Sequence, residues 1–65
     1  MILECVVDMA SVVLYDDECV PISIQRVVRG ERIEIQDMKN DGKWITFTQD
    51  DTVCRTYRED FEKVE

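Results

Sequence analysis

Apolar and polar positions alternate with period two through much of this chain. Arg32-Ile33-Glu34-Ile35-Gln36 does so without exception, the pattern of a strand with one buried face. In Trp44-Ile45-Thr46-Phe47-Thr48, Ile45 and Phe47 share one face while Trp44, Thr46 and Thr48 share the other. Thr52 to Tyr57 offers two faces, Val53/Arg55/Tyr57 and Thr52/Cys54/Thr56, and the pattern does not choose between them. Turn residues separate these runs. Arg29-Gly30-Glu31 is a turn with Gly30 as the site of positive φ, Asn40-Asp41-Gly42 carries the residues of a tight hairpin, and Asp50-Asp51 divides the last two runs. So many turns and extended runs between Arg26 and Glu65 leave no room for a helix bundle.

The first 25 residues are read the same way. Ile2 to Val7 is β-rich and is interrupted by Asp8. Ser11-Val12-Val13-Leu14-Tyr15 is a second extended run, ended by the like charges of Asp16-Asp17-Glu18. A helical alternative exists, since Leu3, Val7, Ala10 and Leu14 follow helical spacing. Val6, Val7, Val12 and Val13 would lose rotamer freedom in it, so strands are preferred. Pro21 lacks an amide donor and belongs at a strand start or a sheet edge, with Ile22, Ile24 and Val27 after it. The tail, Arg58 to Val64, is too short for an independent helix; one helical turn that drops Phe61 and Val64 onto the end of the fold is expected. Five or six short strands then form one small, strongly bent sheet closing on itself, a single domain over residues 1–65.

Length and charge limit what such a domain does. A chain of 65 residues buries roughly 60% of its unfolded surface, which favours a binding surface over an enclosed, dry active site. The net charge is −7, and the first 25 residues hold five acids and no base. Direct binding to nucleic acid or to an anionic membrane is disfavoured, because both need clustered Lys and Arg. A basic protein surface is the natural complement. Cys5, Cys19 and Cys54 form no C-x-x-C pair, and no secretory or membrane-spanning run is present, so a reduced, cytoplasmic chain with buried or half-buried thiols is expected.

The runs Val27-Val28-Arg29-Gly30-Glu31-Arg32-Ile33-Glu34-Ile35, Asn40-Asp41-Gly42-Lys43-Trp44-Ile45, Gln49-Asp50-Asp51 and Tyr57-Arg58-Glu59-Asp60-Phe61-Glu62-Lys63-Val64 resemble a group of very small SH3-like β-barrels from phages and bacterial mobile elements. Cys5-Val6-Val7-Asp8 is similar to the opening run of that group. The segment Ser11 to Val20 departs from it, standing where the group has a short loop, and Thr52-Val53 stands where a Gly is more usual. The resemblance implies an all-β, SH3-like barrel and a phage or prophage accessory protein. Its motifs are structural punctuation and bring no catalytic residues with them.

The residues give little support to an enzyme. Histidine is absent, no activating group neighbours a cysteine, and the serines lie outside any nucleophile elbow. Asp16-Asp17-Glu18 and Asp50-Asp51 are hard oxygen donors but lack the alternate spacing of a calcium loop, so no metal or other cofactor is expected. The binding candidates are the rings of Trp44, Tyr57 and Tyr15, as anchors, with Asp16, Asp17, Glu18, Asp50 and Asp51 as steering charges. The expectation is a small acidic protein-binding module that docks on a basic patch of a host protein and modulates or inhibits it; a DNA-like acidic array is one form this could take. The alternative is a structural homo-oligomer, a homodimer through exposed strand edges included, with Trp44 in the homo-interface.

Overall fold

Extended structure prevails from the second residue onward, as the β-branched content of the opening requires. The computed structural model describes residues 1–65 and contains eight strands. They are β1 (Ile2–Cys5), β2 (Met9–Tyr15), β3 (Pro21–Val28), β4 (Arg32–Glu34), β5 (Gln36–Asp41), β6 (Trp44–Gln49), β7 (Thr52–Tyr57) and β8 (Phe61–Lys63). A single 3-10 turn, Arg58–Asp60, joins β7 to β8. The expectation of an all-β fold with a short helical turn near the C-terminus is met, and the helical alternative for the opening residues is not.

The expected single bent sheet is instead two antiparallel sheets. The smaller has the order β4-β1-β8 and the larger the order β3-β2-β7-β6-β5. No one ladder closes on itself, and the strand count exceeds the five or six expected. The difference arises at Ile35. The alternating run Arg32 to Gln36 puts Ile33 and Ile35 in the core as its pattern requires, but the chain changes sheets between them. Backbone bonds between Met1 and Ile35 hold that crossing point beside β1.

The two sheets bury their facing sides against each other. Leu3, Cys5, Ile33 and Phe61 come from the smaller sheet; Ala10, Val12, Val27, Ile45, Phe47 and Cys54 come from the larger, with Ile35 between. Period-two alternation therefore decides which face is inside, and it resolves β7: Cys54 and Thr56 point inward while Val53, Arg55 and Tyr57 point out. Thr56 is the one buried polar residue, and its Oγ1 donates to the Ser11 carbonyl at 2.9 Å. That bond satisfies a hydroxyl that would otherwise cost about 1–3 kcal/mol to bury.

Turn chemistry follows the sequence closely, with one shift. Gly30 has φ of +87° and Gly42 of +65°. The second hairpin loop is Gly42-Lys43, since Asn40 and Asp41 belong to β5 and Asp41 pairs with Trp44. Pro21 is both the first residue of β3 and on a sheet edge, as a missing donor dictates. One apolar pair is turned outward, and one burial expectation fails. Ile22 and Ile24 are exposed, because the face of β3 that points inward is that of Val27. Cys19 is exposed as well, and only Cys5 and Cys54 are buried thiols. The tail places Phe61 in the core and half-buries Val64 as expected, but residues 61–63 do so as a strand.

Candidate functional site

The outer face of the five-stranded sheet is where the candidate residues gather. The alternation that sends Ala10 and Val12 inward sends Met9, Ser11 and Val13 outward, with Val28, Arg26 and Ile24 opposite them on β3. On β7 and β6 the same side carries Val53, Arg55 and Tyr57 beside Thr48, Thr46 and Trp44. Of the large apolar side chains left exposed, Met9, Ile24, Val28, Val53 and Tyr57 share this face, and Ile22 stands beside the bulge at the start of β3. The inner face holds the core, so the sheet carries large apolar side chains on both sides, those of the outer face set among Ser11, Arg26, Thr46, Thr48 and Arg55.

At one end of this face Trp44 and Tyr57 are cross-strand neighbours. Their rings stack with centroids 4.3 Å apart and planes 19° from parallel. The Arg55 guanidinium lies 4.6 Å from the centre of the indole ring. Its Nε is buried without a hydrogen-bond partner, and the guanidinium gains a cation–π contact with the ring. Asp41, at 3.8 Å from Nη2, supplies only a loose ion pair. Lys43, Arg58 and Glu59 join Tyr57 in lining an open groove of about 370 Å³ next to the stack. Trp44 is half-buried, stacked on Tyr57 with the Arg55 guanidinium over its ring.

The acids lie at the other end. Tyr15 pairs with Val53, and Gln49 with Thr52, which brings the β2–β3 loop and the β6–β7 turn side by side. Asp16, Asp17, Glu18, Asp50 and Asp51 are therefore collected together with no base among them. They are not equivalent. Asp16 Oδ1 accepts the N–H groups of Glu18 and Val20, both at 2.9 Å, and its own N–H donates to the Val20 carbonyl. This carboxylate organises the loop, as Asx side chains do; the other four are exposed. Tyr15 sits at the acidic end too, half-buried, in a shallow groove of about 270 Å³ shared with Cys19, Val53, Thr46, Arg55 and Asp41.

The structure thus joins Trp44 to Tyr57 and sets the five acids beside Tyr15; the acids stand the length of β6 from the rings, while Arg55 and Asp41, which flank the indole, also reach the groove beside Tyr15. At about 3.4 Å per residue that length is roughly 17 Å. Sequence reasoning missed the two features that complete the face: Arg55 over Trp44, and the exposed row on β3. The first was legible in principle, since Trp44, Thr46 and the outward residues of β7 share a parity. The second was not, because Ile22 and Ile24 alone look like core. No three or more carboxylate or thiol side chains converge as metal ligands would. Burial pushes the Cys54 thiol above its ordinary value, against a weaker opposing bond from Gln49, which makes it a poor nucleophile. No helix is long and apolar enough to cross a membrane. Comparison with known family models, curated proteins and solved structures finds no match to this chain.

Proposed function

We propose that this chain is a small acidic protein-binding module, without catalytic activity of its own, whose working surface is the outer face of the five-stranded sheet. The observation that carries the reading is the two-sidedness of that sheet. A small domain has no internal use for a second apolar face, and exposed apolar area rimmed by charge is the mark of an interaction surface. The two ends divide the labour. Asp17, Glu18, Asp50 and Asp51 form the end that attracts and orients a basic surface. Trp44 and Tyr57 form a pre-stacked anchor roughly a strand's length away, flanked by Arg55, Lys43 and Arg58. A fitting partner has a basic patch and, about 17 Å from it, an apolar or acidic feature to meet the rings. The frame is read as SH3-like, the setting as a phage or mobile-element accessory protein in the cytoplasm, and the mode of action as occlusion of a host protein; the sequence resemblance supports these.

The test begins with capture from a bacterial lysate and continues with the purified partner. Replacing Asp17, Glu18, Asp50 and Asp51 by their amides should slow association and flatten its salt dependence. Tyr57→Ala should speed dissociation, weakening affinity by about 2 kcal/mol, near thirty-fold, if it is a hot spot. A partner whose binding ignores both changes would sink the proposal, as would a preparation that binds nothing at low salt.

A further inference from the structure

We infer that the free edge of β3 is a self-association site, where a second copy of this chain adds its own β3 antiparallel to form one continuous sheet across a two-fold axis. The inference shares Ile24 and Val28 with the proposed binding face but rests on the backbone groups of the edge, and its test does not need a partner protein.

The molecule has four sheet edges, and three are blunted. β4 and β8 have three residues each. β5 carries Asp37, Lys39, Asn40 and Asp41, and it is broken by a register shift between Gln36 and Lys39 with Asp37 at φ +52°. Short strands, bulges and charge are the usual protections of an edge. β3 is protected only at its two ends, by Pro21 at the start and by Glu31, which occupies both backbone groups of Val28, at the finish. It spans Pro21–Val28, its proline and its irregularity lie at the start, and from Ser23 to Val28 its register with β2 is unbroken. Seven of its eight residues are exposed, and Arg26 is its only charge.

Backbone bonding shows which groups are free. Val28 donates its N–H to Glu31 Oε1 and accepts the Glu31 N–H at its carbonyl, so neither group is directed to β2. Alternation along an antiparallel ladder then turns the N–H and C=O of Arg26 and Ile24 outward as well. An incoming strand meets those groups and a row of Ile22, Ile24 and Val28, the two isoleucines 60% and 59% exposed.

Charge selects the occupant. Two copies of a chain of net charge −7 repel each other at long range, so a pairing segment must itself be free of acid. A basic strand meets Arg26 and finds no acid on β2 or β3; the Glu31 carboxylate at the end of the edge is already engaged by the Val28 N–H. The complementary strand is apolar with at most one charge, and β3 is such a strand. With the axis at Gln25, Ile24 faces Arg26 of the second copy and Ile22 faces Val28, so the two guanidinium groups do not oppose each other. The acids nearest the pairing strands lie off them, in the β2–β3 loop and, at Glu31, beyond the end of β3 where its carboxylate accepts the Val28 N–H.

Sedimentation equilibrium of the full chain at several concentrations, together with amide exchange, tests the site. Expected are a monomer–dimer equilibrium and slowed exchange at Ile24 and Arg26, whose amides have no partner within one copy. Ile24→Pro removes an N–H that β2 does not use, and Ile24→Lys sets charges against Arg26 of the second copy; each should give a folded monomer. If either variant fails to fold, Gln25→Cys in a Cys19→Ser background serves instead, and oxidation should link two copies through residue 25. A chain that is monomeric at every concentration with fast exchange at both amides overturns the inference. So does a dimer that persists in folded Ile24 variants, or a Gln25→Cys protein that does not cross-link while dimeric.

Discussion

Single residues in this protein are set by what surrounds their polar atoms. Asp16 and Asp17 are neighbours, yet one ties a loop together and the other stands free. Asp60 is a third case. It is half-buried in the 3-10 turn, and desolvation, with a smaller push from the charge of Glu59, holds its carboxyl above the ordinary aspartate value. The ionised form is therefore less favourable in the folded chain than in the unfolded one. That cost is absent well below the ordinary value of about 3.9 and fully present once pH has risen past the folded value. Asp60→Asn should make the protein more stable at neutral pH, with the advantage shrinking to nothing as pH falls below about 3.9. Urea unfolding of both proteins across that range measures it, and a variant less stable at neutral pH would contradict the assignment. The Asp60 carbonyl, which accepts the Val6 N–H, is unaffected by the change.

Among the elements, the β6–β7 hairpin is tight and strained. Asp50 and Asp51 both have positive φ, 50° and 63°, between the paired Gln49 and Thr52. A two-residue loop with two left-handed positions is the turn for which Asn-Gly is preferred. Replacing Asp50-Asp51 by Asn-Gly should stabilise the fold by about 1 kcal/mol, seen as a Tm higher by about 4–8 °C in a domain of this size. A lower Tm would show that these carboxylates make a structural contribution in place. The sequence revealed this turn, the strand before it and the strand after it, because local pattern and tertiary burial agree there. It misled where they diverge. Ile33 and Ile35 alternate as one strand, but no local signal tells the chain to change sheets between them. Ile22 and Ile24 have strand residues and strand spacing, and only their position on an unpartnered edge exposes them. The candidate rings were found by type and parity, whereas their distance from the acids depends on which strand ends meet, a property of topology.

On the scale of the whole molecule, charge and fold are both polarised. Five acids without a base stand at one end of the larger sheet, while near the other Lys43, Arg55 and Arg58, with Asp41 and Glu59 among them, surround the ring stack. The smaller sheet is assembled from the beginning, the middle and the last part of the chain, with β1 between β4 and β8. Phe61 fills the core from β8, so ending the chain after Asp60 removes a buried ring worth about 3–5 kcal/mol, comparable with the whole stability of a small domain. Such a truncated protein should show no cooperative thermal transition by circular dichroism; a sharp transition would mean that the larger sheet folds alone. The same placement of β8 has a consequence for synthesis. A nascent chain carries β1 through β7 outside the ribosome with the central strand of its smaller sheet still lacking a neighbour on one side. Until Phe61–Lys63 have emerged, the growing polypeptide leaves β1 open on one side and its smaller sheet incomplete, an apolar surface for whatever chaperone waits at the exit.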